Sequence, residues 1–370
     1  MKTKIIILIL AGLMAFSFVL NAPFKTLDDQ AAIINNPLVK DISSVDTIFV
    51  SSYFGLKAYW RPLVILSYMA EYHFFGLNPM MYYITNIIIH LCTGLVVFFL
   101  MRQLLKRENL AFFTALLFII HPIHATAVTN ISGRPILLGS LFYLLSFYGY
   151  CLYKKKGDVH LYVMALFLFI LSLLCKESAI MLPSLLLFYE GVFHFHGLRK
   201  WWRSVTPTLP FWGILAAYFA IRHSLGIVRV FQARSASEVL LQVLTFARGV
   251  LTYFRLFIVP QGFHFDRAMP VFKSLQDPGV YLTVAAFCFL IVVLILKRKT
   301  ILPTAFFFIG WFFLELVPGS QLFAGILIQP GYIALAEHFV YTASAGVFVL
   351  IVMATCWLYD VNIRWGWVSS

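Results

Sequence analysis

Apolar runs long enough to cross a bilayer recur from one end of this 370-residue chain to the other. A helix rises about 1.5 Å per residue, so roughly 20 apolar residues cover the ~30 Å of hydrocarbon, which restricts the chain to membrane architectures. The candidate spans are residues 4–21, 83–101, 109–121, 136–153, 160–175, 178–193, 207–222, 279–296, 301–317 and 339–358. Composition agrees: 61% of residues are hydrophobic and 12% charged, against about 25% charged in an ordinary soluble domain. The expected fold is an all-α polytopic membrane protein of about ten to eleven transmembrane helices. Residues 1–370 are expected to form a single transmembrane domain with no soluble domain.

The net charge of +13 does not point to nucleic acid, because Lys and Arg stand in short clusters between the apolar runs. Such clusters mark the cytoplasmic side and meet anionic lipid head groups. Lys2 and Lys4 put the N-terminus inside. Arg102, Lys106 and Arg107 then fall in one cytoplasmic loop, Lys154, Lys155 and Lys156 in the next, and Arg199, Lys200 and Arg203 in a third. Segment 239–258 breaks the alternation, since a crossing there would place Lys297, Arg298 and Lys299 outside. It is therefore expected to be re-entrant or interfacial, with 223–278 wholly on the outer side. The first outer segment, 22–82, is long enough to expect short helices lying on the membrane.

Residues 1–22 have the basic start and apolar core of a signal peptide, but Leu20-Asn21-Ala22-Pro23 is a poor cleavage site. An uncleaved first span is expected. The cysteines Cys92, Cys151, Cys175, Cys288 and Cys356 match neither a disulfide framework nor metal-ligand spacing and read as buried small hydrophobes.

A charge at bilayer depth costs roughly 2.5–3.5 kcal/mol, so polar residues near the outer boundary need a reason. Asp28 and Asp29 follow the first span directly. They are either solvated acids capping a short helix or a base above a membrane-embedded substrate. Arg61, in Tyr59-Trp60-Arg61-Pro62-Leu63, fits an interfacial turn, and its guanidinium would equally suit a phosphate. Asn86 and His90 share one helical face and read as interhelical hydrogen-bonding residues. His121 and His124 could ligate a metal, but no Cys or further His stands at zinc-like spacing. Arg134 opens the fourth span and requires an anionic partner, either a protein carboxylate or a phosphate. Lys176 and Glu177 occupy a tight turn between two spans, and Glu337 and His338 stand at the mouth of the last one. Gln261 to Arg267, with Asp266 among them, add polar residues to the outer segment before it, and Glu315 within an apolar run is expected to pair, an outer-face cation being one partner.

An acid pair among several cations suits a particular chemistry, in which the cations hold a lipid-linked phosphate and a carboxylate deprotonates an acceptor hydroxyl. The alternative is a transporter or a flippase for lipid-linked sugars, which would place its charges midway along broken helices.

In order along the chain stand Asp28-Asp29, Tyr-Trp-Arg-Pro-Leu (59–63), Asn-Pro-Met-Met-Tyr-Tyr…His (78–90), His-Pro-Ile-His-Ala-Thr-Ala-Val (121–128), Gly-Arg-Pro-Ile-Leu-Leu (133–138), Lys-Glu-Ser (176–178) and Ala-Glu-His-Phe-Val-Tyr-Thr-Ala-Ser-Ala-Gly (336–346). The series resembles the membrane half of the transmembrane-and-tetratricopeptide-repeat O-mannosyltransferases, within the GT-C superfamily of glycosyltransferases. The resemblance implies an inverting glycosyltransferase that takes mannose or another hexose or pentose from a polyprenyl phosphate, with no nucleotide sugar and no essential metal. The acceptor would be a hydroxyl of a protein or a glycolipid, reached at the outer membrane face. Asp28 and Asp29 would be the catalytic element, and Arg134 would contact the donor phosphate. Arg61, Lys176, Glu177, His121, His124, Glu337 and His338 would line the donor site.

The sequence departs from the pattern in two places. It ends at Ser370 without the repeats, and Val340-Tyr341-Thr342-Ala343-Ser344 replaces a leucine-tyrosine-leucine-proline-serine run. A chain without repeats is expected in a prokaryotic plasma membrane with its active face outward, or in the endoplasmic reticulum if eukaryotic.

Overall fold

A computed structural model describes residues 1–370 except 26, 56–57, 196, 228–234, 265–266, 298–302, 321–330 and 367–370. Among the described residues, twelve helices have twelve or more residues. They are α1 (Lys2–Phe16), α2 (Pro62–Phe75), α3 (Pro79–Leu105), α4 (Glu108–Ile120), α5 (Arg134–Lys156) and α6 (Val159–Leu173), followed by α7 (Leu182–Phe193), α8 (Leu209–Ser224), α9 (Ala236–Ile258), α10 (Pro278–Lys297), α11 (Pro303–Leu316) and α12 (Ser344–Gly366). The extended structure among the described residues is one antiparallel pair, β1 (Ala268–Pro270) with β2 (Tyr332–Ala334).

Among the described residues, six helical segments are long and apolar enough to cross a membrane: Lys2–Asn21, Pro79–Leu105, Ile131–Lys156, Trp201–Ser224, Ala236–Ile258 and Pro278–Leu296. A seventh forms if α4 and the segment Pro122–Val128, bent by 47° at Pro122, are one span. The protein is thus an all-helical, multi-pass membrane protein, as its apolar periodicity predicts.

Local chemistry sets the helix ends. Asn78 accepts the Met80 N–H at 3.2 Å, with Pro79 at the first helical position of α3. Ser235 and Glu238 form a reciprocal capping box at the start of α9. That helix covers the segment expected to be re-entrant or interfacial. It is unbroken over 23 residues, and its Arg248 donates to Pro270 O at 2.6 Å and stacks 4.3 Å from the Phe272 ring. The side chains of Lys297, Arg298 and Lys299, and all of Asp266, lie outside the described residues.

Residues 22–82, the segment expected on the outer side, carry the expected short helices, at Leu27–Asp29, Gln30–Ile34, Pro37–Lys40, Ile42–Ser44, Val45–Val50 and Tyr53–Gly55. Helix α2 follows with Val64, Ile65, Tyr68, Met69 and Glu71 buried against the bundle. Helix α5 packs along α6 and α3, and α12 packs against α4 and α11.

The two ends of this bundle carry different charge. At one end Lys4 Nζ donates to Glu108 Oε1 (3.0 Å) and Asn109 Oδ1 (2.7 Å), joining the starts of α1 and α4. Lys155 meets Gln103 at 3.4 Å and Lys154 meets Glu190 at 3.1 Å, joining the end of α5 to the ends of α3 and α7. The other ends of α1, α5, α6 and α7 lead to Asp28, Arg134, Lys176 and Glu177. Basic loops at one end and the acid–cation set at the other is the arrangement that charge alternation requires.

Candidate functional site

The chain leaves α1 through a short turn, Ser17–Asn21, and Tyr83 donates its hydroxyl proton to Pro23 O at 2.8 Å, fixing the path into Leu27–Asp29. The two acids there face opposite ways. Asp29 is fully buried, its Oδ2 accepting the Lys25 N–H and its Oδ1 the Ser132 N–H, both at 2.9 Å. Asp28 is exposed at the surface of the site. A carboxylate holding two backbone amides is a strut, and Asp28 is the acid presented outward.

Arg61 caps the start of α2. Its Nε lies 3.1 Å from Glu177 Oε2 and its Nη2 2.9 Å, a two-pronged bond that turns one edge of the guanidinium toward the protein. Glu177 Oε1 also takes the Trp60 N–H at 3.2 Å. The guanidinium lies 4.5 Å from the Tyr59 ring and 5.1 Å from the Tyr53 ring, a stacked cation well suited to an oxyanion. Its Nη1 edge makes no hydrogen bond among the described residues, so this arginine keeps donors for a ligand.

Arg134 is different. Its Nε donates to Asn86 Oδ1, its Nη1 to Glu71 Oε2 (3.1 Å) and Ser67 Oγ (3.3 Å), and its Nη2 to Glu71 Oε1 (3.1 Å) and Tyr82 O (3.0 Å). A guanidinium has five N–H donors, and all of them are used inside a fully buried site. The anionic partner expected for Arg134 is therefore the carboxylate of Glu71. No N–H is left to offer a donor phosphate, so the direct contact expected of Arg134 is not what this geometry provides.

The approach of Arg134 depends on Gly133. A Cβ there would lie 2.0 Å from Ala127 O, inside any allowed contact. Only glycine lets the turn at Ile131–Gly133 close against Ala125–Val128.

The histidines of the third span face inward. His121 Nε2 donates to Phe257 O (3.3 Å) and its Nδ1 accepts the Ile123 N–H (3.2 Å). His124 Nδ1 donates to Phe118 O (2.7 Å) and Nε2 pairs with Ser344 Oγ (2.9 Å). Both ring nitrogens of each are used, so neither reaches toward a donor, which corrects that expectation. His90 pairs with Ile119 O (2.9 Å) on α4, an interhelical bond of the expected kind, and with Tyr341 Oη (2.6 Å), while Asn86 donates to Asn130 O (2.8 Å) and accepts from Arg134 on α5. Among the described residues no three His, Cys, Asp or Glu side chains are grouped to hold a metal ion.

Lys176, Glu177 and His338 belong with Arg61. The charges of Lys176 and Arg61 act on the His338 ring, whose pKa is held well below its ordinary value, first by burial and then by these two cations. Glu337, next to it, points elsewhere. It is fully buried, and its Oε1 takes the His264 N–H (3.0 Å) and Arg267 Nη2 (3.1 Å), tying the last span to the outer segment before β1. The partner of Glu315 is the Tyr143 hydroxyl rather than a cation, a correction that follows from its burial between α5 and α11.

Arg61 is the hub of the site: it is bonded to Glu177 and stacked by Tyr53, its charge and that of Lys176 act on His338, and its charge and that of Asp28 act on Tyr53. Tyr53 was missed in the sequence because a tyrosine among other aromatics, Phe49, Phe54, Tyr59 and Trp60, carries no signal of its own. Glu71 was visible as the one acid of an otherwise apolar helix, but nothing in its spacing named Arg134 as its partner.

The fold and this cluster define a polytopic helical membrane protein with an acid and several cations gathered where its helices end. The chain is similar to the Protein O-mannosyl-transferase TMTC3 of Mus musculus, 32% identical over 176 residues, which is 44% of this chain and 19% of the relative. It is similar also to TMTC1 of Homo sapiens, 33% identical over 183 residues (44% and 21%), and to Tmtc1 of Drosophila melanogaster, 31% identical over 183 residues (46% and 21%). The chain spans about a fifth of the length of these curated relatives. No family model matches it.

Proposed function

We propose that this protein is an inverting glycosyltransferase that moves a sugar from a polyprenyl-phosphate donor to an acceptor hydroxyl at the outer membrane face. The observation that carries the reading is a stacked, half-committed Arg61 that shares its electrostatic neighbourhood with Lys176 and His338, and whose charge acts, together with that of the exposed Asp28, on the Tyr53 hydroxyl. The relatives named as protein O-mannosyl-transferases support a transferase of sugars, and by extension a mannose donor and a protein acceptor.

In the reaction Asp28 accepts the proton of the acceptor hydroxyl as that oxygen attacks the anomeric carbon. The bond from that carbon to the phosphate oxygen breaks on the opposite face, and the electron pair leaves with polyprenyl phosphate. Attack opposite the leaving group inverts the configuration. Arg61 and Lys176 stabilise the charge that grows on the departing phosphate. Asp29, Glu177 and Arg134 do not touch substrate here; they hold the segments that do. The donor phosphate and the acceptor hydroxyl need no metal in this scheme.

The deciding experiment incubates the purified protein with polyprenyl-phosphate mannose and scores release of free polyprenyl phosphate. Release by the wild type and none by Asp28→Asn supports the reading. Equal release by both would remove Asp28 from the chemistry.

A further inference from the structure

The backbone just after Tyr53 is strained. Phe54 is left-handed at φ 60°, ψ 15°, and Gly55 follows at φ 67°. A bulky side chain in that region costs roughly 1–2 kcal/mol and persists only where its surroundings hold it. Three bonds hold this one: Tyr53 N–H to Tyr59 O (2.8 Å), Arg222 Nη2 to Ala58 O (2.8 Å) and the Trp60 indole N–H to Phe49 O (2.9 Å). The strained turn brings the Tyr53 ring beneath the Arg61 guanidinium, with the side chain 1% exposed.

A buried tyrosine hydroxyl ordinarily finds a hydrogen-bond partner. Tyr53 Oη has none of normal geometry among the described residues. The Tyr68 hydroxyl bears on it, but its proton goes to Ile131 O at 2.8 Å and its oxygen stands outside hydrogen-bond geometry with Tyr53 Oη. The charges of Arg61, Asp28 and Arg134 also reach it. Burial pushes the phenol's pKa up, Arg61 opposing and Asp28 adding to the rise, so the group keeps its proton at neutral pH and can donate it. This buried, protonated hydroxyl feels the charges of both the proposed base and the half-committed arginine and has no acceptor in hydrogen-bond geometry among the described residues.

We propose that Tyr53 Oη donates its hydrogen to a phosphoryl oxygen of the lipid-linked donor, beside Arg61, completing the phosphate site for which the arginine supplies charge. This rests on the donor chemistry proposed above. The competing explanation is that the ring alone matters, as packing for Arg61 and Phe54, in which case phenylalanine would serve as well.

The test uses the full chain in nanodiscs, wild type and Tyr53→Phe, with undecaprenyl phosphate and the uncharged undecaprenol as probes. Binding is followed by native mass spectrometry, and the melting temperature of the ligand-free protein is recorded beside it. Tyr53→Phe should bind undecaprenyl phosphate about tenfold more weakly, the factor for one hydrogen bond to a charged group, and undecaprenol as the wild type does. Its ligand-free melting temperature should be unchanged or raised, since no protein hydrogen bond is lost. Equal affinity of both proteins for undecaprenyl phosphate overturns the proposal alone. So does an equal loss for undecaprenol, or a lowered melting temperature, which would make the hydroxyl structural. A wild type that does not prefer undecaprenyl phosphate to undecaprenol overturns the donor reading, and this inference falls with it.

Discussion

The backbone N–H of Ser132 donates to Asp29 Oδ1 at 2.9 Å, joining the chain just beyond α1 to the turn that opens α5. The neighbouring acid, Asp28, lies at the surface. Two adjacent carboxylates of identical chemistry therefore have separable effects. Asp28→Asn is expected to leave melting temperature and donor binding near wild type while abolishing transfer. Asp29→Ala loses two charge-assisted bonds, and its cost should be about 2–4 kcal/mol of stability. Thermal unfolding of both variants, alongside turnover, separates them; a stable but inactive Asp29→Ala would reverse the assignment.

The Arg134–Glu71 pair is buried and fully bonded, so breaking it from either side should be severe. Arg134→Ala or Glu71→Ala is expected to destabilise by roughly 3–5 kcal/mol, because each leaves an uncompensated charge in a dry site. Replacing both by methionine should cost less than the sum of the single changes. Additive losses in that double-mutant cycle would show that the two do not act as a pair.

Gly133→Ala places a methyl group 2.0 Å from Ala127 O, a backbone atom that cannot swing aside. A loss of about 1–3 kcal/mol or more is expected from overpacking alone. Because Arg134 follows directly, activity should fall with stability. A variant with an unchanged melting curve would mean the turn relaxes freely.

His338 gives the site a pH signature. Its folded pKa lies well below the ordinary value, through burial and through Lys176 and Arg61. The unfolded chain takes up a proton near pH ~6.5 that the folded chain refuses, so the stability contributed is full above that pH and falls as pH drops below it. His338→Gln should flatten the decline in melting temperature between about pH 7 and pH 5. An identical decline in both proteins would place the acid sensitivity elsewhere.

Most of the architecture was legible in the sequence because hydrocarbon imposes a length and a composition on every span. The apolar runs reappear within helices, although among the described residues six of these, or seven with the bent pair, are long enough to cross rather than the ten or eleven expected, and Lys4, Lys154 and Lys155 gather at one end as charge alternation requires. The position of the acid pair was legible for the same reason. What was not legible is long-range pairing. Nothing local distinguishes Arg134, whose partners are 48 to 67 residues away, from Arg61, whose partner is 116 residues away. Their sequence contexts are alike: each precedes a proline at a helix start. Only the fold decides which cation is spent on the protein. His121 and His124 were misread likewise, since their acceptors are backbone carbonyls that no motif announces.

Arg134 also bears on how the protein is made. Its partners Glu71, Ser67, Tyr82 and Asn86 all precede it in the chain, on α2 and α3. Synthesis runs from the N-terminus, so the acceptors are already in place when the cation arrives. The isolated guanidinium never has to wait in lipid for a helix not yet translated. A circular permutation or split that delivers α5 before α2 would reverse that order. The same five bonds that finish the native site would then be missing at the moment of insertion, and assembly should become the slow step even with every native contact still available.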